Sequence, residues 1–161
     1  AGARAFIRNP PVPSSTMALN LNLDMVSRND RNEIFAAGTS YSPWLKPILE
    51  DVQRRTTVRI RFGHDRPTGG ADSLEDWTLQ SDHGVFHQAG VPFLYFGVED
   101  HPDYHKPTDT ADKIDPTFFR SVVEMVMEAL TAIDREIESV AATRPPSHRI
   151  ARDAVARRAG P

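Results

Sequence analysis

The chain has 161 residues, 39% hydrophobic and 25% charged, with a net charge of −3 and no cysteine. That length suits one domain that buries roughly 70% of its unfolded surface. The charge leaves no basic footprint for nucleic acid, no apolar run approaches the roughly 20 residues that span a bilayer, and the lack of cysteine excludes disulfides and thiolate metal sites.

The stretch NPPVPSSTM (9–17) reads as a turn-rich connector, because its prolines fix φ and remove backbone donors. Met17, Leu19, Leu21 and Leu23 then alternate with Ala18, Asn20 and Asn22, a period of two that predicts a strand ending at Asp24. EIFAAG (33–38) is a second short strand. Ser42 and Pro43 suit the cap and first residue of a helix, with Trp44, Leu45, Ile48, Leu49 and Val52 at helical spacing. TVRIRF (57–62) sets Val58, Ile60 and Phe62 against Arg59 and Arg61, a strand with one wet face, and 63–73 is a loop by its glycines and aspartates.

SDHGVFHQAG (81–90) predicts a short helix capped by Ser81 or Asp82, with Val85, Phe86 and Ala89 inward and Gly90 as its stop. VPFLYFG (91–97) is a continuous apolar run, as a central strand buried on both faces requires. Asp115-Pro116 opens the longest helix, with Phe119, Val122, Val123, Val126, Leu130, Ile133 and Ile137 on one stripe. Strands alternating with helices define an α/β fold built as a three-layer sandwich over residues 1–142. Residues 143–161 carry five arginines and one aspartate and read as a solvated, loosely helical basic tail.

In such a sheet, ligands gather beyond the carboxyl ends of the strands. Asp24 closes one strand there, and VEDHPDYHKPTDT (98–110) leaves another. The Asp82-His83 pair either sits at the opposite rim or reaches over by loop length. Taken singly these signals are bland: a strand-end Asp usually makes a turn, and His64, His87, His101 and His148 read as exposed loop residues. Ser81-Asp82-His83 has the letters of a hydrolase triad, but adjacent side chains point apart and real triads assemble from distant segments.

The combination is more specific. The order NLDM, SDHGVF…AGVP, DYHKPTDTADKID ahead of a long amphipathic helix resembles the zinc-dependent exopeptidases of the aminopeptidase Y and bacterial leucyl aminopeptidase type. Glutamate carboxypeptidase and glutaminyl cyclase belong to the same family. The resemblance runs from Gly2 to about residue 139. It implies a zinc exopeptidase-like α/β/α sandwich with a mixed, mostly parallel sheet, of which this chain is the C-terminal part, the N-terminal half missing. It also implies two Zn2+ ions, one ligated by Asp24 and the other by His105. Tyr104 would donate a hydrogen bond to the tetrahedral intermediate, Asp109 would orient His105, and Ser81, Asp82 and His83 would line the substrate pocket.

In the family an H-x-D segment and a Glu-Glu pair lie upstream, the first Glu serving as general base. The chain is expected to lack both: no H-x-D motif is expected in it, and no glutamate stands ahead of Glu33. The intact enzyme is therefore expected to remove N-terminal residues from peptides, while this chain alone is expected to bind zinc weakly or not at all and to be inactive. Expected partners are a peptide substrate, the rest of the same domain, and a second copy through an exposed sheet edge; nucleic acid and membrane are not among them. A secreted or periplasmic location follows from the resemblance only. The alternatives are a carboxypeptidase or cyclase of the same type, or a non-catalytic protein-binding module; retention of Asp24, Tyr104 and His105 together argues against the latter.

Overall fold

A computed structural model describes residues 1–66 and 74–143, the side chains of 139–143 excepted. Most of the expected 63–73 loop, the basic tail beyond Thr143 and His148 lie outside the described residues. The elements are α1 (Gly2–Arg8), β1 (Asn20–Leu23), β2 (Glu33–Ala37), α2 (Leu45–Gln53), β3 (Arg59–Phe62), α3 (His83–Gln88), β4 (Phe93–Gly97) and α4 (Pro116–Thr143). Two single 3-10 turns, Ser14–Thr16 and Ala111–Lys113, lie between them.

The strands form one sheet in the order β1-β4-β2-β3. Strand β1 runs parallel to β4, with Leu21 opposite Leu94 and Leu23 opposite Phe96. Strand β2 runs antiparallel to β4 and parallel to β3. The sheet is thus mixed and mostly parallel, and β1 and β3 are its edges. Every residue of β4 is buried, which explains its unbroken apolar run. Edge strand β3 buries Val58 and Ile60 beside its start and centre and exposes Arg59 and Arg61, the one wet face its alternation predicts.

Helices α2 and α4 cover one face of the sheet. Leu45, Leu49 and Val52 of α2 join Phe118, Val122, Met125, Ala129 and Ile133 of α4 over Ile34, Leu94 and Phe96. The spacings of three and four keep both sets on one side of their helices. The other face holds Phe35, Ala37, Phe93, Tyr95 and Trp77, with His83 of α3 stacked on Phe93 at 4.8 Å. Helix α1 adds Phe6 against Phe86 at 5.7 Å, completing the third layer.

Several local expectations shift. The stripe expected along α4 holds in part: Val122, Val126 and Ile133 are buried, but Phe118, Met125 and Ala129 join them while Phe119, Val123 and Leu130 are exposed. Adjacent apolar residues at 118/119 and 122/123 leave the phase open in the sequence, and packing against α2 and the sheet sets it. Helix α2 begins at Leu45 rather than Pro43, because the N–H groups of Leu45 and Lys46 close tighter three-residue turns on the Ser42 and Pro43 carbonyls first. In α3 the buried residues are His83 and Gly84 rather than Val85, Phe86 and Ala89, and neither Ser81 nor Asp82 caps the helix through its side chain. A Cβ on Gly84 would lie 2.8 Å from the Leu79 backbone, so only glycine lets α3 approach that closely. Gly90 does end α3, at φ +79, with its N–H on His87 and that of Val91 on Phe86.

Candidate active site at the carboxyl ends of β1 and β4

Because β1 and β4 are parallel, their carboxyl ends open on one rim. Asp24 leaves β1 there, its N–H donating to the Phe96 carbonyl at 3.1 Å and its carboxylate exposed. Met25 follows at φ +55. A left-handed non-glycine residue costs about 1–2 kcal/mol and persists only where its surroundings impose it. His105 is also left-handed, at φ +56. Both candidate metal ligands therefore sit at strained turns on the two segments that leave β1 and β4.

The loop ahead of α3 reaches over to this rim. Ser81 Oγ donates to Asp24 Oδ2 at 2.7 Å, and Asn22 Nδ2 donates to Ser81 Oγ at 3.2 Å. The same Asn22 amide lies 3.3 Å from His83 Nδ1, while His83 Nε2 lies 2.9 Å from the Trp77 carbonyl. Those partners fix the tautomer: Nε2–H donates to Trp77 and Nδ1 accepts from Asn22. Burial lowers the His83 pKa from its ordinary value, against the opposing pull of the Trp77 carbonyl. Ser81 thus touches Asp24 directly, His83 is a wholly buried support beneath it, and Asp82 is exposed.

The 98–110 loop forms the other wall. Tyr104 and His105 stack at 3.9 Å with planes 21° apart. Desolvation and then the nearby Asp100, Asp24 and Glu75 raise the Tyr104 pKa, so the phenol keeps its proton at neutral pH and remains a donor. Tyr95, beneath the rim, is raised by burial and then by Asp24, Tyr104 and Asp100.

Asp109 is engaged elsewhere than its expected role implies: its Oδ1 accepts from Arg28 Nη2 at 2.9 Å, and His101 Nε2 lies 3.9 Å from its other oxygen. Asp103 accepts from Lys113 at 2.6 Å, and Lys113, Thr108 and Arg28 hold its carboxyl well below the usual range. The letters H-x-D do occur at His101-Pro102-Asp103, but both of those side chains turn to Arg28. His64 is no exposed loop residue either: it is buried at φ +58 and stacked on Trp77 at 3.4 Å, its Nδ1 2.7 Å from the Glu75 carbonyl. His87 packs between Tyr41 and Phe93. Sequence reasoning missed Asn22 and Arg28, whose partners lie 59 to 81 residues away.

Among the described residues, no three of His, Cys, Asp and Glu stand together as a metal site. The described side chains therefore do not fit a complete zinc centre by themselves, and no catalytic step is assigned to a metal. Among the same residues, no helix is long and apolar enough to cross a membrane.

A family model described as peptidase family M28 matches residues 1–130. No match was found among the curated proteins. Among solved structures, the chain is similar to an aminopeptidase from Aneurinibacillus sp. strain AM-1, at 21% identity and a TM-score of 0.61. That similarity covers 80% of this chain and 29% of the Aneurinibacillus chain. At that identity it supports the α/β fold alone.

Proposed function

Since the chain belongs to peptidase family M28, we propose that it contributes one side of the catalytic domain of an aminopeptidase, which hydrolyses the N-terminal residue from a peptide. The observation that carries this reading is the shared rim: Asp24 at the end of β1 and the Tyr104-His105 pair in the segment after β4, both beside left-handed residues and both following parallel, paired strands at their carboxyl ends. Tyr104 would hold its proton and donate it as a hydrogen bond to the oxyanion that develops at the scissile carbonyl. Ser81 would orient the Asp24 carboxylate, with Asn22 and His83 fixing Ser81 from below.

Asp24 and His105 are proposed as one ligand each for two zinc ions. On this reading the further ligands and the general base lie in a part of the domain outside residues 1–161, so that this chain alone is expected to hold zinc weakly and to hydrolyse nothing. Tight stoichiometric zinc binding by this chain would show that ligand count to be wrong. The β1 edge is the surface proposed to pair with a further strand of the same domain, or with a second copy.

The test uses the longest chain that the coding sequence specifies, assayed for release of leucine from its p-nitroanilide. Tyr104→Phe should lower kcat by about 10²–10³-fold, the usual loss for one oxyanion donor. Absence of any hydrolysis by that longer chain, or a Tyr104→Phe variant of undiminished kcat, would contradict the reading.

A further inference from the structure

Arg28 lies four residues beyond Asp24, in the segment that leaves β1. Its Nη2 stands 2.8 Å from His101 Nδ1, 3.2 Å from Asp103 Oδ2 and 2.9 Å from Asp109 Oδ1. Two of these partners precede Tyr104-His105 in the chain and one follows it. A single, largely buried guanidinium therefore grips the loop on both sides of the stacked pair. The neighbouring residue strengthens the tie, because the Ser27 carbonyl accepts the Asp115 N–H at 3.1 Å where α4 begins.

We propose that Arg28 is the positioning residue of the Tyr104-His105 loop, coupling the segment that carries Asp24 to the segment that carries Tyr104 and His105. Its catalytic meaning rests on the aminopeptidase reading above; the positioning itself does not. The charge pattern supports the role. Asp100, Asp103, Asp109 and Asp112 put four carboxylates into one short stretch, and Asp103 already takes Lys113. Without Arg28, Asp109 keeps only its longer contact with His101, and the loop's acidic groups repel one another. The loop has few apolar contacts of its own to resist that: Tyr104 is half-buried, and His105 is exposed and left-handed.

The test is residue-resolved amide exchange and ring-proton NMR on residues 1–161. Three loop amides close local turns: Tyr104 on His101, Lys106 on Asp103 and Asp109 on Lys106. Arg28→Gln should speed their exchange by about tenfold while the amides of β4 and α4 keep their protection. It should also erase the ring-current shift that Tyr104 imposes on the His105 imidazole protons. Arg28→Lys, which keeps the charge, should restore part of both signals. Asp109→Asn is the second arm should the arginine variant fold poorly, since it removes one grip at an exposed carboxylate and should loosen the same three amides less. Unchanged loop exchange and an unchanged His105 shift in a folded Arg28→Gln or Asp109→Asn variant would overturn the proposal. Neither readout needs activity, so failure of the aminopeptidase reading would leave this result standing, and the converse also holds.

Discussion

Strand β4 and the loop that leaves it are consecutive in the chain and are held by opposite means. Phe93 to Gly97 are buried on both faces among aliphatic and aromatic side chains, and their order rests on many interchangeable contacts. Beyond buried Val98, residues 99–110 present few apolar groups and rest on polar contacts, among them those of Arg28, Lys113, Lys106 and His64, and on a set of local turns. The difference teaches where each region is fragile. The strand is sensitive to volume, whereas the loop is sensitive to the identity of particular polar atoms.

Removing volume should have the largest effect. Phe96→Ala, at a fully buried position shared by both core-facing helices, should cost about 3–5 kcal/mol in urea unfolding. Phe118→Ala should fall in the same range of about 3–5 kcal/mol, because Phe118 rather than Phe119 carries the packing of α4. Equal effects at 118 and 119 would break the distinction between the buried and exposed stripes.

His83 stands between the two regions, being buried like the core and hydrogen-bonded like the rim. His83→Ala should cost roughly 2–3 kcal/mol. Its folded pKa is lowered, so the unfolded chain binds the proton more readily. Stability should therefore be full above the unfolded value of 6.5 and should fall as the pH drops from there toward the lower folded pKa. Denaturation midpoints from pH 7.5 to 5 would show this loss, and His83→Ala should flatten it. A slope unchanged in the variant would assign the effect to another group. Asn22→Ala should cost about 1 kcal/mol, since it removes the donor shared by Ser81 and His83.

The smallest effect belongs to the exposed side of α4. Phe119→Ser should change stability by no more than about 0.5 kcal/mol in a dilute monomer. Sedimentation at rising concentration sharpens this, because a clean monomer throughout would count against self-association by any exposed edge or face.

How much was legible follows the same division. The β4 run, the wet and dry faces of β3 and the Asp115 cap on α4 are written locally, in residues whose partners are their own neighbours. Asp115 Oδ1 indeed accepts from the N–H groups of Thr117 and Phe118. The phase of α4 is not local: 118/119, 122/123 and 126/127 are apolar pairs, and α2 and the sheet choose between them. Helix α1 was hidden because its seven residues bury nothing and its one ring contact is to distant Phe86. For the proposed site, the order of the motifs is what singles out Asp24 and Tyr104-His105 in the sequence. Arg28 and Asn22 could not be found there, because a polar residue in a polar stretch carries no sign of a partner 59 to 81 residues away.

The central claim is that Asp24 and His105 belong to two walls of one metal-dependent site. Its most direct measurement is the zinc content of the longest chain that the coding sequence specifies, beside its Asp24→Asn and His105→Ala variants, after exhaustive dialysis. The expected result is two zinc ions per chain in the parent and one in each variant. Full retention of both ions by both variants would contradict the assignment.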